Sequence, residues 1–300
     1  MSDYTYYDLN VRSDLPLPEL LKGTASDNPD VVIKKGLVSA TGIEGGSVLG
    51  PFLQTTPQSL WLSVPNVARF LINEGKEIVY EPHEGIDEDS IRVFMLGSCT
   101  GALMFQRDHM ILHGNAFQVG DGCVVCVGNS GAGKSTLAAA IMQRGYRIIS
   151  DDVCPIDAQG FAISGMPRIK LWKDSADRLA IDTNGLKRIR PELQKFNYPL
   201  NGSFCSQPLP VKAVYILNTH NESEFEVERI NGMDKFEPLK QNTYRFAYLK
   251  GMSMEKRHFK QCAKLATNIH LSRLTRPRSG FQLEKLVDFI LDDITKLGIS

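Results

Sequence analysis

The sequence predicts an α/β protein in which a mixed-sheet core built on a glycine-rich loop follows a small β-rich N-terminal lobe. Three observations carry this reading. The octapeptide Gly128-Asn129-Ser130-Gly131-Ala132-Gly133-Lys134-Ser135 lies between an apolar strand pattern and a helix pattern. Strand and helix patterns keep alternating to the C-terminus, as layered α/β folds require. The first 86 residues, by contrast, hold only short strand signals separated by turn residues.

The elements follow in order. Residues 6–11, 31–35, 60–64, 68–72 and 78–80 are rich in β-branched and aromatic side chains and read as strands. Asn73-Glu74-Gly75-Lys76 has the composition of a hairpin turn. In Asp14-Leu15-Pro16-Leu17-Pro18-Glu19-Leu20, prolines at alternate positions disfavour helix and central strand, which predicts an extended segment over the surface. The acidic stretch Glu84-Gly85-Ile86-Asp87-Glu88-Asp89 marks a boundary near residue 86. It divides a 1–86 lobe, a candidate for substrate recognition, from an 87–300 domain. An apolar helix over 91–106, capped by Asp87 or Asp89, opens the second part. Strands at 110–113, 117–119 and 123–127 follow, the last two joined by the tight turn Gly120-Asp121-Gly122. Residues 135–144 make a helix stopped by Gly145, and 146–150 a strand ending in Asp151-Asp152. A right-handed crossover would lay that strand beside the one carrying the loop. Strands at 211–217, 225–230 and 269–274, with helices at 254–266 and 283–297, complete the chain.

Composition narrows the function classes. An apolar fraction of 42% with 23% charged residues is that of a water-soluble globular protein, and no window approaches the ~20 apolar residues needed to span a bilayer. The first ten residues, MSDYTYYDLN, lack the basic and then apolar layout of a secretory signal, so a cytoplasmic protein is expected. Net charge is zero, with no basic block of the kind that grips nucleic acid. Cys123 and Cys126 form one C-x-x-C, but residues three apart on a strand point to opposite faces and no second pair follows. Burial, rather than metal or redox chemistry, is the reading for both.

The octapeptide meets the pattern G-x-x-x-x-G-K-[ST] in full. Gly128, Gly131 and Gly133 allow dihedrals closed to other residues, so several N–H groups can converge on one anion. The helix that follows adds its positive end, where an unneutralised lysine would oppose the dipole. The pattern therefore points to a nucleoside triphosphate with magnesium, held by residues 128–135 and Thr136. Lys134 would reach the β and γ phosphates, and the Ser135 hydroxyl would join the Mg²⁺ shell.

Asp151 and Asp152 follow Lys134 by only 17 and 18 residues. At the carboxyl end of its strand the pair faces the triphosphate, where one carboxylate can hold Mg²⁺ and the other accept a proton. Two adjacent carboxylates near one ion cannot both keep an ordinary pKa. Asp151 joins Ser135 as metal ligand in this reading. His113 ends a strand one hairpin before the loop strand and is a candidate phosphate contact or acid–base group. Arg168 and Lys170 share one face of an alternating strand, opposite Ile169, and supply cations for developing phosphoryl charge. Arg188 with Arg190, and Arg245, read as solvated surface.

Leu112-His113-Gly114, residues 128–136 and Ser150-Asp151-Asp152-Val153, in that order and spacing, resemble the catalytic domain of HPr kinase/phosphorylase. The resemblance implies the P-loop fold shared with phosphoenolpyruvate carboxykinases, in which the acidic motif closely follows the loop helix. It implies ATP with Mg²⁺, catalytic roles for His113 and the acidic pair, and phosphorylation of a serine hydroxyl. The sequence departs from the family where Asn129 and Thr136 stand in place of acidic residues. The stretch 13–20 resembles the start of HPr-kinase-related proteins of peptide-modification systems, some of which phosphorylate lasso-peptide precursors, and the resemblance extends weakly through Asn242-Thr243-Tyr244-Arg245. A peptide or small-protein serine acceptor, with homo-oligomerisation allowed, is the implied partner set. A nucleotide sensor without phosphotransfer and a kinase of a small hydroxyl metabolite are the alternatives.

Overall fold

The computed structural model describes residues 1–280 and 282–299 of a mixed α/β protein with two large sheets. The first sheet has nine strands in the order Leu21–Lys22, Ser2–Tyr6, Leu9–Ser13, Val31–Lys35, Glu77–Pro82, Ala68–Asn73, Ser59–Val64, Leu53–Thr55 and Ser47–Gly50. The turn at Asn73-Glu74-Gly75-Lys76 forms as expected, with Glu74 and Gly75 at φ 50° and 65°.

Two expectations for this lobe are corrected. The strand expected over 6–11 breaks into a hairpin, because Tyr7 and Asp8 take φ 50° and 59°, the two positive values that a tight right-twisted hairpin requires. The turn is anchored from below, since the buried Tyr7 hydroxyl donates to the Val153 carbonyl at 2.8 Å. The proline segment does not lie over the surface. Its extended backbone alternates faces, so Pro16 and Pro18 point outward while Leu15, Leu17 and Leu20 are buried.

The apolar helical segment starts at Asp87, whose side chain accepts from the Ser90 N–H. It runs as Glu88–Phe94, one π-helical turn Met95–Cys99, and Thr100–Gln106. The Tyr6 hydroxyl meets the π turn, at 3.2 Å from the Leu96 carbonyl. Its apolar residues share one buried cluster with the first sheet, and that cluster reaches Ile111, Val153, Met166 and Tyr244.

The second sheet is built around three parallel strands, Gly122–Gly128, Leu209–His220 and His270–Pro277, with Glu226–Ile230 antiparallel at the outer side. Alternation along Gly122–Gly128 sends Val124 and Cys126 to one face and Cys123, Val125 and Val127 to the other. Helices Lys134–Gln143 and Leu283–Lys296 cover the first face, and Glu255–Asn268 covers the second. Cys123 and Cys126 thus sit in different clusters, and both are free thiols. Ile148–Ser150 does not pair with the loop strand as expected. Gly114–Val119 lies between them, antiparallel to both, because the tight turn before Gly122 lets it take the adjoining edge first. Among the described residues, no helix is long and apolar enough to cross a membrane.

Candidate active site

The loop after Gly122–Gly128 needs its glycines. A Cβ on Gly128, at φ 149°, would stand 2.8 Å from the Leu217 carbonyl oxygen, and Gly133 caps the next helix at φ 93°. Among the described residues no side chain caps that helix, so its first N–H groups, which have no intrahelical acceptor, face the loop. Lys134 is buried, and among the described residues its ammonium donates only to the Gly128 and Asn129 carbonyls, at 2.7 and 3.2 Å. Burial pushes its pKa down. A buried ammonium met by neutral carbonyls beside an uncapped helix start fits an anion such as a phosphate chain.

The acidic pair reaches this loop by an irregular turn, with Asp152 at φ 76°. Consecutive residues of a strand would diverge to opposite faces, but this turn sends both carboxylates into the site. Asp151 is buried; its Oδ1 accepts from the Ser135 hydroxyl at 3.0 Å and its Oδ2 from the Lys170 N–H at 2.9 Å. Asp152 Oδ2 lies 2.9 Å from Lys170 Nζ. The two titrations separate: burial, then the neighbouring Asp152, pushes Asp151 up, whereas Lys170 holds Asp152 well below the usual carboxylate range. Ser135 with Asp151 offers two oxygens of the kind Mg²⁺ takes.

His113 Nδ1 lies 3.0 Å from the Asp152 carbonyl oxygen and 3.5 Å from its Oδ1. Burial and then Lys134 lower its pKa, so the ring is neutral at pH 7. Residues 242–245 are pinned beside it, with the His113 N–H donating to the Asn242 carbonyl and the Tyr244 ring 5.6 Å from the imidazole. A cleft of about 400 Å³ opens here, lined by His113, Gly128, Asn129, Ser130, Asp152 and Arg245 among others. Arg245 stands over the rings of Tyr244 and Tyr248.

Arg168 and Lys170 lie on Arg168–Trp172 and both are buried. Lys170 enters the acidic cluster, whereas Arg168 touches Met166 Sδ and its Nε has no hydrogen-bond partner among the described residues. The Thr136 hydroxyl turns to Ser175, at 2.8 Å, away from the acidic pair. Arg188 and Arg190 lie outside the site, engaging the Pro191 carbonyl and Glu192.

Two residues escaped the sequence reading. Lys195, opposite Trp172 on the paired strand and 5.3 Å from its ring, feels the charges of Lys170, Asp152 and Asp151, and burial lowers its pKa. Arg276 ends the parallel strand His270–Pro277, with its Nη2 3.9 Å from where a Cβ on Gly133 would be. Its position at the carboxyl end of a parallel strand, where open α/β sheets bind ligands, was the available signal.

No family model matches the chain. Over 100 residues it is 29% identical to the HPr kinase/phosphorylase of Lactobacillus gasseri, a match covering 30% of this chain and 31% of that protein's length. Through this segment the chain is related to HPr kinase/phosphorylase. The Hpr(Ser) kinase/phosphatase structure from Coxiella burnetii aligns over 63% of this chain and 98% of that one, at 12% identity and a TM-score of 0.29.

Proposed function

We propose that this chain is a cytoplasmic, ATP-dependent kinase of the HPr-kinase type that phosphorylates a serine hydroxyl on a peptide or small protein. The observation that carries the reading is Asp152, ionised by Lys170 and set beside His113 in the cleft that ends at the phosphate loop. Residues 128–136 would cradle the phosphates, and Ser135 with Asp151 would hold Mg²⁺. The bound ion would neutralise charge on the phosphate oxygens.

Asp152 accepts the hydrogen of the incoming hydroxyl. Its low pKa makes it a weak base, which suits a loose phosphoryl-transfer transition state where positioning outweighs proton abstraction. Lys134, Arg168 and Lys170 supply fixed positive charge, and neutral His113 orients Asp152 or the acceptor without adding repulsion against Lys134. The 1–86 lobe is assigned to acceptor recognition, and a ribosomally made precursor peptide, such as a lasso precursor, is the acceptor that the 13–20 stretch suggests.

Incubation with γ-labelled ATP and serine-bearing peptides, HPr protein and free hydroxyl metabolites tests this. Label on a peptide serine, lost in Asp152→Asn while ATP still binds, is expected. Binding without transfer would make the chain a nucleotide sensor, and label on a free metabolite would move the acceptor class.

A further inference from the structure

At the opposite end of the second sheet from the phosphate loop lies a cavity of about 480 Å³ that this chemistry does not use. Val211, which lines it, pairs with Cys123 at the start of the loop strand, whereas Leu217 pairs with Gly128 at the other end. Its floor is apolar, formed by Met110, Ile156, Val211 and Leu265, all buried. One wall is the outer face of helix Glu255–Asn268, where Arg257, Lys260 and Lys264 recur at helical spacing.

The charges around this cavity are unevenly matched. Arg257 pairs with Asp108, and Lys212 with Asp121. Asp157 accepts the Gln159 and Phe161 N–H groups of its own turn. Among the described residues, Lys264 reaches only the neutral Ala158 carbonyl, and Lys260 has no partner. Solvated lysines on a helix face are ordinary. Two of them without a carboxylate, standing over a buried apolar floor in a cavity of ligand size, are the arrangement that takes an apolar body with one negative end.

We propose that this cavity is a second binding site, separate from the phosphate loop, for a small organic anion with an apolar body, such as a medium-chain or aromatic carboxylate. The apolar part lies against Met110, Ile156 and Leu265, and the carboxylate meets Lys260 and Lys264. Inorganic phosphate lacks the apolar body and short carboxylates lack most of it, so neither competes.

The probe is 1-anilinonaphthalene-8-sulfonate, titrated by fluorescence against the full chain with and without saturating Mg·ATP. Saturable binding at one site is expected, displaced by octanoate but not by octylamine, propionate or phosphate. The Lys260→Glu/Lys264→Glu variant should bind the probe at least tenfold more weakly, with circular dichroism, melting temperature and ATP affinity unchanged. Both positions are exposed, so folding is not at stake. Displacement of the probe by ATP, or equal affinity in the charge-reversed variant, overturns the proposal. Loss of kinase activity alone, with probe binding intact, bears on the phosphate-loop reading and not on this one.

Discussion

Replacing Lys170 by Met separates two jobs of that residue. Its N–H bond to Asp151 survives the change, while the 2.9 Å contact from Nζ to Asp152 is lost. Side-chain exposure is 8% for Lys170 and 29% for Asp152, so the pair lies between the buried and surface limits. Breaking a buried pair costs about 3–5 kcal/mol and an exposed one about 0–1, which sets the expectation for Lys170→Met at about 2–3 kcal/mol. Asp152→Asn strands the buried ammonium at a similar cost. The double variant loses the pair once, giving a coupling of about 1.5–3 kcal/mol from urea denaturation of the four proteins. The pH dependence has a definite sign. In the parent, the depressed Asp152 pKa contributes stability present above its unfolded value and lost as pH falls through the folded one. Without Lys170, burial becomes the largest influence and raises that pKa, so the variant loses stability as pH rises. The gap between parent and Lys170→Met therefore widens from about pH 5 to about pH 8. A coupling below about 0.5 kcal/mol, or a gap that narrows with pH, would refute the pairing.

Asp151, raised by burial, favours the fold while protonated and loses that contribution as pH rises through its folded pKa, so Asp151→Asn should stabilise the metal-free protein at neutral pH. In the parent, Mg²⁺ affinity should climb with pH and binding should release protons, read by calorimetry in buffers of different ionisation enthalpy; pH-independent affinity would remove Asp151 from the metal site. Gly128→Ala drives a Cβ to 2.8 Å from the Leu217 oxygen at φ 149°, so a loss of about 2 kcal/mol or more, with no ATP binding, is expected from melting and nucleotide titration. Arg276→Ala should weaken ATP about tenfold with little change in melting temperature, and Arg276→Lys should recover part of it, because the phosphate contact proposed for this half-exposed arginine would act through charge. An unchanged ATP affinity would place Arg276 outside the site.

What was legible in the sequence was local. The loop, its strand and helix, the Asp87 cap and the Asn73–Lys76 turn each depend on residues within one turn of chain, and each stands where expected. The hairpin at Tyr7-Asp8 was hidden by an unbroken run of strand-forming residues, and only the burial of Tyr7 against Val153 fixes the break. The proline segment was misplaced because prolines announce conformation but not direction, and the alternating leucines carry the burial. Lys195 could not be read at all. It enters the site through its register opposite Trp172, across an irregular stretch with no periodicity to extend.

The displaced acidic strand is also what makes the two carboxylates unlike. Ile148–Ser150 emerges one strand away from the loop, beyond Gly114–Val119, so the chain must turn back to reach Ser135. It does so at Asp151 and Asp152, where the left-handed Asp152 replaces strand alternation. Asp151 is carried inward, under the helix start and against the Lys170 N–H, where burial dominates. Asp152 is left at the cleft, where the Lys170 ammonium dominates and His113 can touch both its carbonyl and its carboxylate. Had the strand paired directly with the loop strand, adjacent residues would have faced opposite sides of the sheet, and one carboxylate would have been lost to the site. The same detour brings Lys170 to both aspartates, one through its backbone and one through its side chain. Charge separation within the pair thus follows from the turn, which buries Asp151 and leaves Asp152 to the Lys170 ammonium.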